Sequence, residues 1–332
     1  MLEAKMEKFL HTYSAYEQVL NKRIIGYEEI VKKLFIALMV RGNILLEGPP
    51  GIGKTSLVKT FARYMGLEFS RIQFTPDLMP LDIIGSNILQ SQEGGRRGFE
   101  FYKGPLFANI VLGDEINRAT PKTQSAFLEA MEEKKVTFLG KEYPLPDPFL
   151  VIATQNPIEL EGTYPLPEAQ VDRFFMKLHL DYPDFMTLKR IIIGNEVPDE
   201  KSGEHGRRSV LTALTECTSL EEEVVVMDEI RNFITRLVVS THPRYSEINE
   251  VRRWVLYGAS PRAGIALLRA VKYKALIENR VNASFADVRE LAFDILNHRI
   301  ILNFEGEAEN TDIRSLIQTI LTALEKKFRV ST

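Results

Sequence analysis

The chain has 332 residues, 45% of them hydrophobic and 26% charged, and its 42 basic and 45 acidic side chains leave a formal charge of -3. That length excludes a single small module and leaves room for two domains, and the composition is that of a chain that folds throughout. The near balance of charge supplies no general basic field for holding a polyanion, and the single cysteine, Cys217, excludes a disulfide or a cysteine-built metal cluster within one chain.

The opening residues interleave charges with apolar side chains, and nowhere is there a run of about 18 apolar residues, so neither a secretory signal nor a membrane span is expected. A reducing cytoplasm fits. Leu2, Met6, Phe9, Tyr13, Tyr16 and Leu20 recur every three or four residues and predict an opening helix with one buried face. A second periodic segment, Glu28 to Val40, leads into the apolar run Asn43 to Glu47, read as a buried strand, then a glycine-rich turn and a helix from Lys54 to Met65. Further strands are expected at Glu68 to Phe74, Ile110 to Asp114, Phe149 to Thr154 and Phe174 to Leu180. Thr120-Pro121 opens a helix to about Glu133. Strands alternating with helices predict an α/β domain with a parallel sheet covered on both faces.

The character changes near residue 182. The polar stretch Asn195 to Ser219 reads as a linker or exposed insertion. Beyond it, helices are expected at Leu220 to Ser240, Asn249 to Tyr257, Pro261 to Glu278, Ser284 to Leu296 and Asp312 to Phe328, which makes a smaller all-helical domain. The division expected is a core at 1–182, a linker at 183–220 and a helical domain at 221–332.

Gly48, Pro49, Pro50, Gly51, Ile52, Gly53, Lys54 and Thr55 satisfy G-x-x-x-x-G-K-[ST] between a strand and a helix, with Ser56 next in the first helical turn. Glycines let the backbone wrap close to phosphate, and successive N–H groups with the helix N-terminus complement its charge. Lys54 would reach the β- and γ-phosphates and Thr55 would bind Mg²⁺. The strand Ile110 to Asp114 ends in two carboxylates: Asp114 suits the Mg²⁺ shell, and Glu115 suits orienting and polarising the attacking water. A third strand ends in Ala153-Thr154-Gln155-Asn156-Pro157, where Asn156 would contact the γ-phosphate or its water. An arginine at position 262, in the first turn of a helix, opposes the macrodipole and points to an anion nearby. The histidines lack metal-ligand spacing, and no G-x-S-x-G segment supports a serine hydrolase.

This set of motifs, in this order, resembles the AAA+ superfamily, and the segments EGPPGIGKT, FTPDLMPLDIIG, KGPLF, DEINRA, QSAFLEAMEE, ATQNPIELEGTYPLPEAQVDRF and GASPRA resemble its MoxR family. The resemblance runs from Ile25 to about Leu296 and implies a P-loop NTPase core with a parallel five-stranded sheet, followed by a helical lid. It implies ATP with Mg²⁺, and places Ile24-Ile25-Gly26, hence Ile25 and Gly26, where adenine packs. Asn156 matches sensor 1, and Arg262 matches sensor 2. Arg173 in Val-Asp-Arg-Phe matches the arginine finger that reaches a neighbouring subunit's γ-phosphate. Arg118 in DEINRA is a further candidate for an interface contact.

The resemblance also implies a ring, six subunits in the usual case, and a client protein, often with a partner that carries a von Willebrand factor A domain. The insertions Leu78 to Phe107 and Lys135 to Tyr143, the second read as a hairpin, would face the axial opening and touch the client. Gly113 departs from the alanine-like residue usual before Asp114, and its backbone freedom would loosen the carboxylates. Two other readings stay open: a nucleic-acid motor, for which no basic stripe is found, and a nucleotide-dependent scaffold, for which Glu115 and Arg173 would be superfluous.

Overall fold

The computed structural model describes residues 2–91, 97–156, 162–193 and 220–330. Gly94, Gly95 and Arg96 of the first insertion, Pro157 and the polar stretch Asn195 to Ser219 lie outside the described residues.

Helices α1 (Leu2–Arg23) and α2 (Glu28–Val40) precede the first strand, β1 (Ile44–Glu47). The phosphate-loop segment follows and runs into α3 (Lys54–Tyr64), β2 (Phe69–Gln73) and a short α4 (Pro80–Ile84). A hairpin, β3 (Gly85–Ser91) and β4 (Arg97–Lys103), comes before β5 (Ile110–Asp114) and α5 (Pro121–Glu133). A second hairpin, β6 (Lys135–Phe138) and β7 (Lys141–Pro144), comes before β8 (Leu150–Gln155), α6 (Glu168–Val171), β9 (Met176–His179) and α7 (Phe185–Ile193).

The main sheet has five strands in the order β2-β5-β8-β1-β9, every neighbouring pair parallel. Side chains alternate across a strand, so each apolar run feeds both faces. Ile44, Leu46, Ile110, Leu112 and Ile152 pack with Val58 and Phe61 of α3, and Leu45, Val111, Val151 and Ala153 pack with Phe127 and Leu128 of α5. Each such fully buried Val, Leu, Ile or Phe side chain contributes roughly 1.5–3 kcal/mol relative to exposure. The predicted face of α1 is confirmed: Met6, Phe9, Tyr13 and Leu20 are buried, with Phe9 and Tyr13 against Phe35 of α2.

The second unit contains α8 (Asp228–Ser240), α9 (Asn249–Trp254), α10 (Pro261–Ile277), α11 (Phe285–Leu296), α12 (Phe304–Ala308) and α13 (Ile313–Val330). Two expectations change here. The helix expected from Leu220 to Ser240 is interrupted, because the β-branched run Val224-Val225-Val226 is extended: Val225 donates to Val281 O at 2.8 Å and accepts from Ala283 N at 3.1 Å. The helix at Asn249 ends at Trp254, and β10 (Val255–Tyr257) pairs antiparallel with β11 (Ile301–Leu302). Ser284 caps α11 in a reciprocal box with Asp287, and Asp312 accepts from the N–H groups of Arg314 and Ser315 at 3.1 and 3.0 Å to start α13.

The helical unit docks on the β9 edge of the sheet. Arg299, 5% exposed, donates to Asp172 Oδ1 at 2.9 Å and to the carbonyls of Phe174 and Phe175 at 2.5 and 3.3 Å. Burial pulls its pKa down to about 10, so it stays cationic at neutral pH opposite Asp172. Lys33 of α2 meets Asp294 of α11 at 2.6 Å, and Asn297 donates to Lys177 O at 3.0 Å. Among the described residues, no helix is long and apolar enough to cross a membrane.

Candidate functional site

The site is assembled at the carboxyl ends of β1, β5 and β8, where the parallel strands release their chain into loops. Gly51 and Gly53 hold left-handed backbone, with φ of 81° and 90°, and no atom stands within 4 Å of where a Cβ would be on either. The open turn of a phosphate cradle requires that conformation and that bareness. Lys54 folds back over the loop, its Nζ donating to the carbonyls of Gly48 and Pro49 at 2.6 and 3.0 Å.

Asp114, 6% exposed, stands at the tip of β5. Its Oδ2 accepts from the Thr55 hydroxyl at 3.2 Å and from Arg71 Nε and Nη2 at 3.0 and 2.8 Å, and its Oδ1 accepts from the Thr154 hydroxyl at 2.6 Å. Thr55 and Asp114 thus present hard oxygen donors beside the phosphate loop, the donor set that suits Mg²⁺.

Glu115 takes left-handed backbone, φ 58° and ψ 51°, as the chain turns out of β5. Its N–H donates to the Thr154 hydroxyl at 2.8 Å and its carbonyl accepts from Arg118 N at 2.9 Å, which hold a conformation costing roughly 1–3 kcal/mol for a residue with a Cβ. Its carboxylate Oε2 accepts from Gln73 Nε2 at 2.9 Å and faces Arg118 Nε at 3.1 Å. Asn156 is buried directly after β8, between the tips of β1 and β5.

Gly113 has another reason than loose backbone. It is paired on both sides, with Ile72 and Ala153, and a Cβ there would stand 2.7 Å from Phe127 Cζ and 3.1 Å from Phe74. The Phe74–Phe127 edge-to-face pair, centroids 5.1 Å apart, fills the space. The loosening expected at the carboxylates is therefore replaced by a tightly tied Asp114.

Ile24, Ile25, Tyr27, Ile52, Ser56 and Ile191 line a cavity of about 330 Å³ beside the loop, where adenine was expected. The Tyr27 hydroxyl donates to Ile52 O at 3.1 Å, and burial raises its pKa, so it serves as a neutral donor. Gly26 holds the turn next to the cavity at φ 86°, and a Cβ on it would strike Thr187 of α7. Helix α7 thus reaches the cavity wall through Ile191 from within the segment read as linker.

Arg173 and Arg262 are brought together, but away from their own phosphate loop. Arg173 Nη1 meets Glu132 Oε2 at 2.7 Å, and Arg262 Nη2 meets Glu132 Oε1 at 3.0 Å. Arg262 also faces Asp172 at 3.6 Å, so the anion expected near it is supplied by carboxylates of the core. Glu132 lies near the C-terminus of α5, about 16 Å along the helix from Pro121. That end sits by the amino ends of the strands, opposite to the loop: Asn43, before β1, donates to Met131 O at 3.4 Å.

Thr154, Arg71, Gln73 and Ile191 were not singled out in the sequence. Thr154 lies within the ATQNP segment at a strand tip, and the apolar spacing of Phe185 to Ile193 was the available sign of a helix.

Residues 43–176 match the ATPase family associated with various cellular activities (AAA), and residues 250–320 match an AAA lid domain. The chain is 40% identical over 313 residues to Chaperone MoxR1 of Mycobacterium tuberculosis, covering 94% of this chain and 81% of that protein. It is 28% identical over 338 residues to Protein MoxR of Methylorubrum extorquens, covering 96% and 97%. A crystal structure from Cytophaga hutchinsonii, of a protein provisionally named an ATPase, is 42% identical with a TM-score of 0.87 and 96% of each chain covered.

Proposed function

The chain belongs to the MoxR family of AAA+ ATPases, and from that premise we propose that it hydrolyses MgATP at boundaries between like subunits to drive conformational work on a client protein. The phosphate-loop backbone and Lys54 cradle the β- and γ-phosphates, and the cavity at Ile25, Gly26 and Ile52 takes the adenine. Thr55 and Asp114 hold Mg²⁺, which when bound neutralises charge on the phosphates. Glu115 orients and polarises the attacking water, and Asn156 senses the γ-phosphate.

The observation that carries the boundary assignment is the placement of Arg173. It precedes β9, whereas the phosphate loop follows β1, and these neighbouring strands run parallel with Ile44 beside Met176 and Glu47 beside His179. The length of the strands, roughly 3.3 Å per residue, therefore separates the two. Its tether on Glu132 also faces away from the loop. An arginine so placed serves the nucleotide of the adjacent subunit, and Arg262, held on the same carboxylate, serves it too. Heads joined to tails in this way close into a ring, here read as six subunits in the cytoplasm.

The two hairpins deliver the work. Phe101 of β4 stacks on Tyr143 of β7 with centroids 4.3 Å apart and touches Phe138 of β6 at 5.0 Å, so the hairpins form one body. Phe99 and Leu139 are 76% and 77% exposed and offer apolar surface to a client. A partner with a von Willebrand factor A domain is part of this reading.

The test is ATPase rate against protein concentration with Mg²⁺ present, with sizing at each concentration. Specific activity should climb as subunits assemble. A substantial rate from the monomer would contradict the boundary site, and absence of turnover despite ATP binding would favour the nucleotide-dependent scaffold.

A further inference from the structure

The hydrogen bonds around Asp114 assign a role to a residue outside the motifs. We infer that Arg71 is a displaceable counter-cation of the metal site, competing with the divalent cation for Asp114 and so setting how strongly metal and nucleotide reinforce each other's binding. The inference rests on the MgATP reading of this site.

Asp114 accepts four hydrogen bonds: Arg71 Nε, Arg71 Nη2 and the Thr55 hydroxyl on Oδ2, and the Thr154 hydroxyl on Oδ1. Each carboxylate oxygen offers about two lone-pair sites, so three donors crowd Oδ2, the oxygen on the Thr55 side, while Oδ1 carries one. For Oδ2, beside the Thr55 hydroxyl, to take part in a metal shell, a donor must withdraw. Thr154 is fixed in the interior strand β8, where its hydroxyl also receives Glu115 N–H at 2.8 Å, and Thr55 is fixed in the first turn of α3.

Arg71 is differently placed. It stands on β2, the edge strand, and its side chain is 46% exposed. Its Nη2 already donates to a second acceptor, Gln73 Oε1, at 2.5 Å. Arg71 and Gln73 are two apart on one strand and share a face, with Gln73 level with Asp114 in the register. The guanidinium can therefore leave Asp114 while keeping Gln73 and gaining water. A cation beside the carboxylate also opposes the approach of a second cation, an effect that salt weakens.

The full chain is assayed for binding of N-methylanthraniloyl-ADP in EDTA and in saturating Mg²⁺, and the ratio of the two affinities is the readout. By linkage, that ratio reports the Mg²⁺ affinity of the nucleotide-bound chain relative to that of the free nucleotide, and the second is the same for every variant, so a change in the ratio is a change at the protein's metal site. In Arg71→Met, which keeps the length of the stem, and in Arg71→Gln, the ratio should rise about fivefold over the unsubstituted chain, the scale of a half-exposed ion pair. Arg71→Lys should fall between, and the increase should shrink in high salt. A ratio that is unchanged or lower in the neutral variants that retain their folded circular dichroism would overturn the inference, because a purely structural arginine would not alter the metal dependence. Failure of the MgATP reading looks different: the unsubstituted chain would then bind no better than Lys54→Ala in either condition.

Discussion

Arg173 and Arg262 hold opposite oxygens of one carboxylate, Glu132, at 2.7 and 3.0 Å, although the first belongs to the α/β core and the second opens a helix of the lid. Asp172 extends the link, accepting from Ser260 Oγ at 2.9 Å and from Arg299 Nε at 2.9 Å. Lid and core thus meet at the two arginines proposed to read a neighbour's nucleotide, and a change in lid angle would shift Arg262 relative to Arg173.

Glu115→Gln should bind ATP about as well as the unsubstituted chain while turnover falls by roughly 10²–10⁴, the usual scale for a general base. The amide keeps the shape and the hydrogen bond to Gln73 is replaceable, so the loss would be chemical. A filter-binding measurement beside a phosphate-release assay separates the two quantities, and an undiminished rate would remove Glu115 from its assignment.

Gly113→Ala should destabilise the chain by about 1–3 kcal/mol, because the new methyl overlaps Phe127 in a filled core. Chemical denaturation measures this. Phe127→Leu in the same chain should recover part of the loss by giving up the ring that stands in the way. Equal stability of Gly113→Ala and the parent would contradict the packing explanation.

His298 makes stability depend on pH. Its ring is buried between lid and core, with Nε2 donating to Phe174 O at 3.1 Å, and burial first, then the neighbouring Arg299, hold its pKa well below the ordinary 6.5. The unfolded chain therefore takes up a proton that the folded chain refuses. The contribution is present in full above about 6.5 and is lost as pH falls below it, at up to about 1.4 kcal/mol per pH unit. His179, whose pKa is also lowered by burial, acts in the same direction. Denaturation midpoints at pH 7.5 and 5.5 should separate less in His298→Gln, which keeps a donor for Phe174 O without titrating; an equal separation would contradict the assignment.

Strands β1, β5 and β8 were legible because each is a short apolar run that ends at a motif, and local pattern suffices for that. The phosphate loop, Asp114 and Glu115 were legible for the same reason. Arg71, Gln73 and Thr154 were not, because their approach to Asp114 and Glu115 comes from the lateral register of β2, β5 and β8, which joins residues distant in the chain. The break at Val224 to Val226 depends on Val225 meeting Val281 and Ala283, another long-range pairing. Gly113 was misread as a backbone device because the ring that requires its smallness, Phe127, belongs to a helix on the far side of the strand. Arg173 and Arg262 could be named as candidates, but their meeting on Glu132 depends on where β9 and the end of α5 lie in the fold.

The most direct test of a site shared between subunits is to mix two inactive chains. Arg173→Ala retains its phosphate loop and loses its finger, with turnover reduced by roughly 10³–10⁵ on the usual scale for such a residue; Lys54→Ala loses its loop and retains its finger. Combined under assembling conditions, they should partly restore ATP hydrolysis, since each completes the other's boundary, and Arg262→Ala mixed with Lys54→Ala should do the same. Persistent inactivity of mixed assemblies, with their mixing confirmed by mass, would contradict the account and place each arginine in the service of its own subunit.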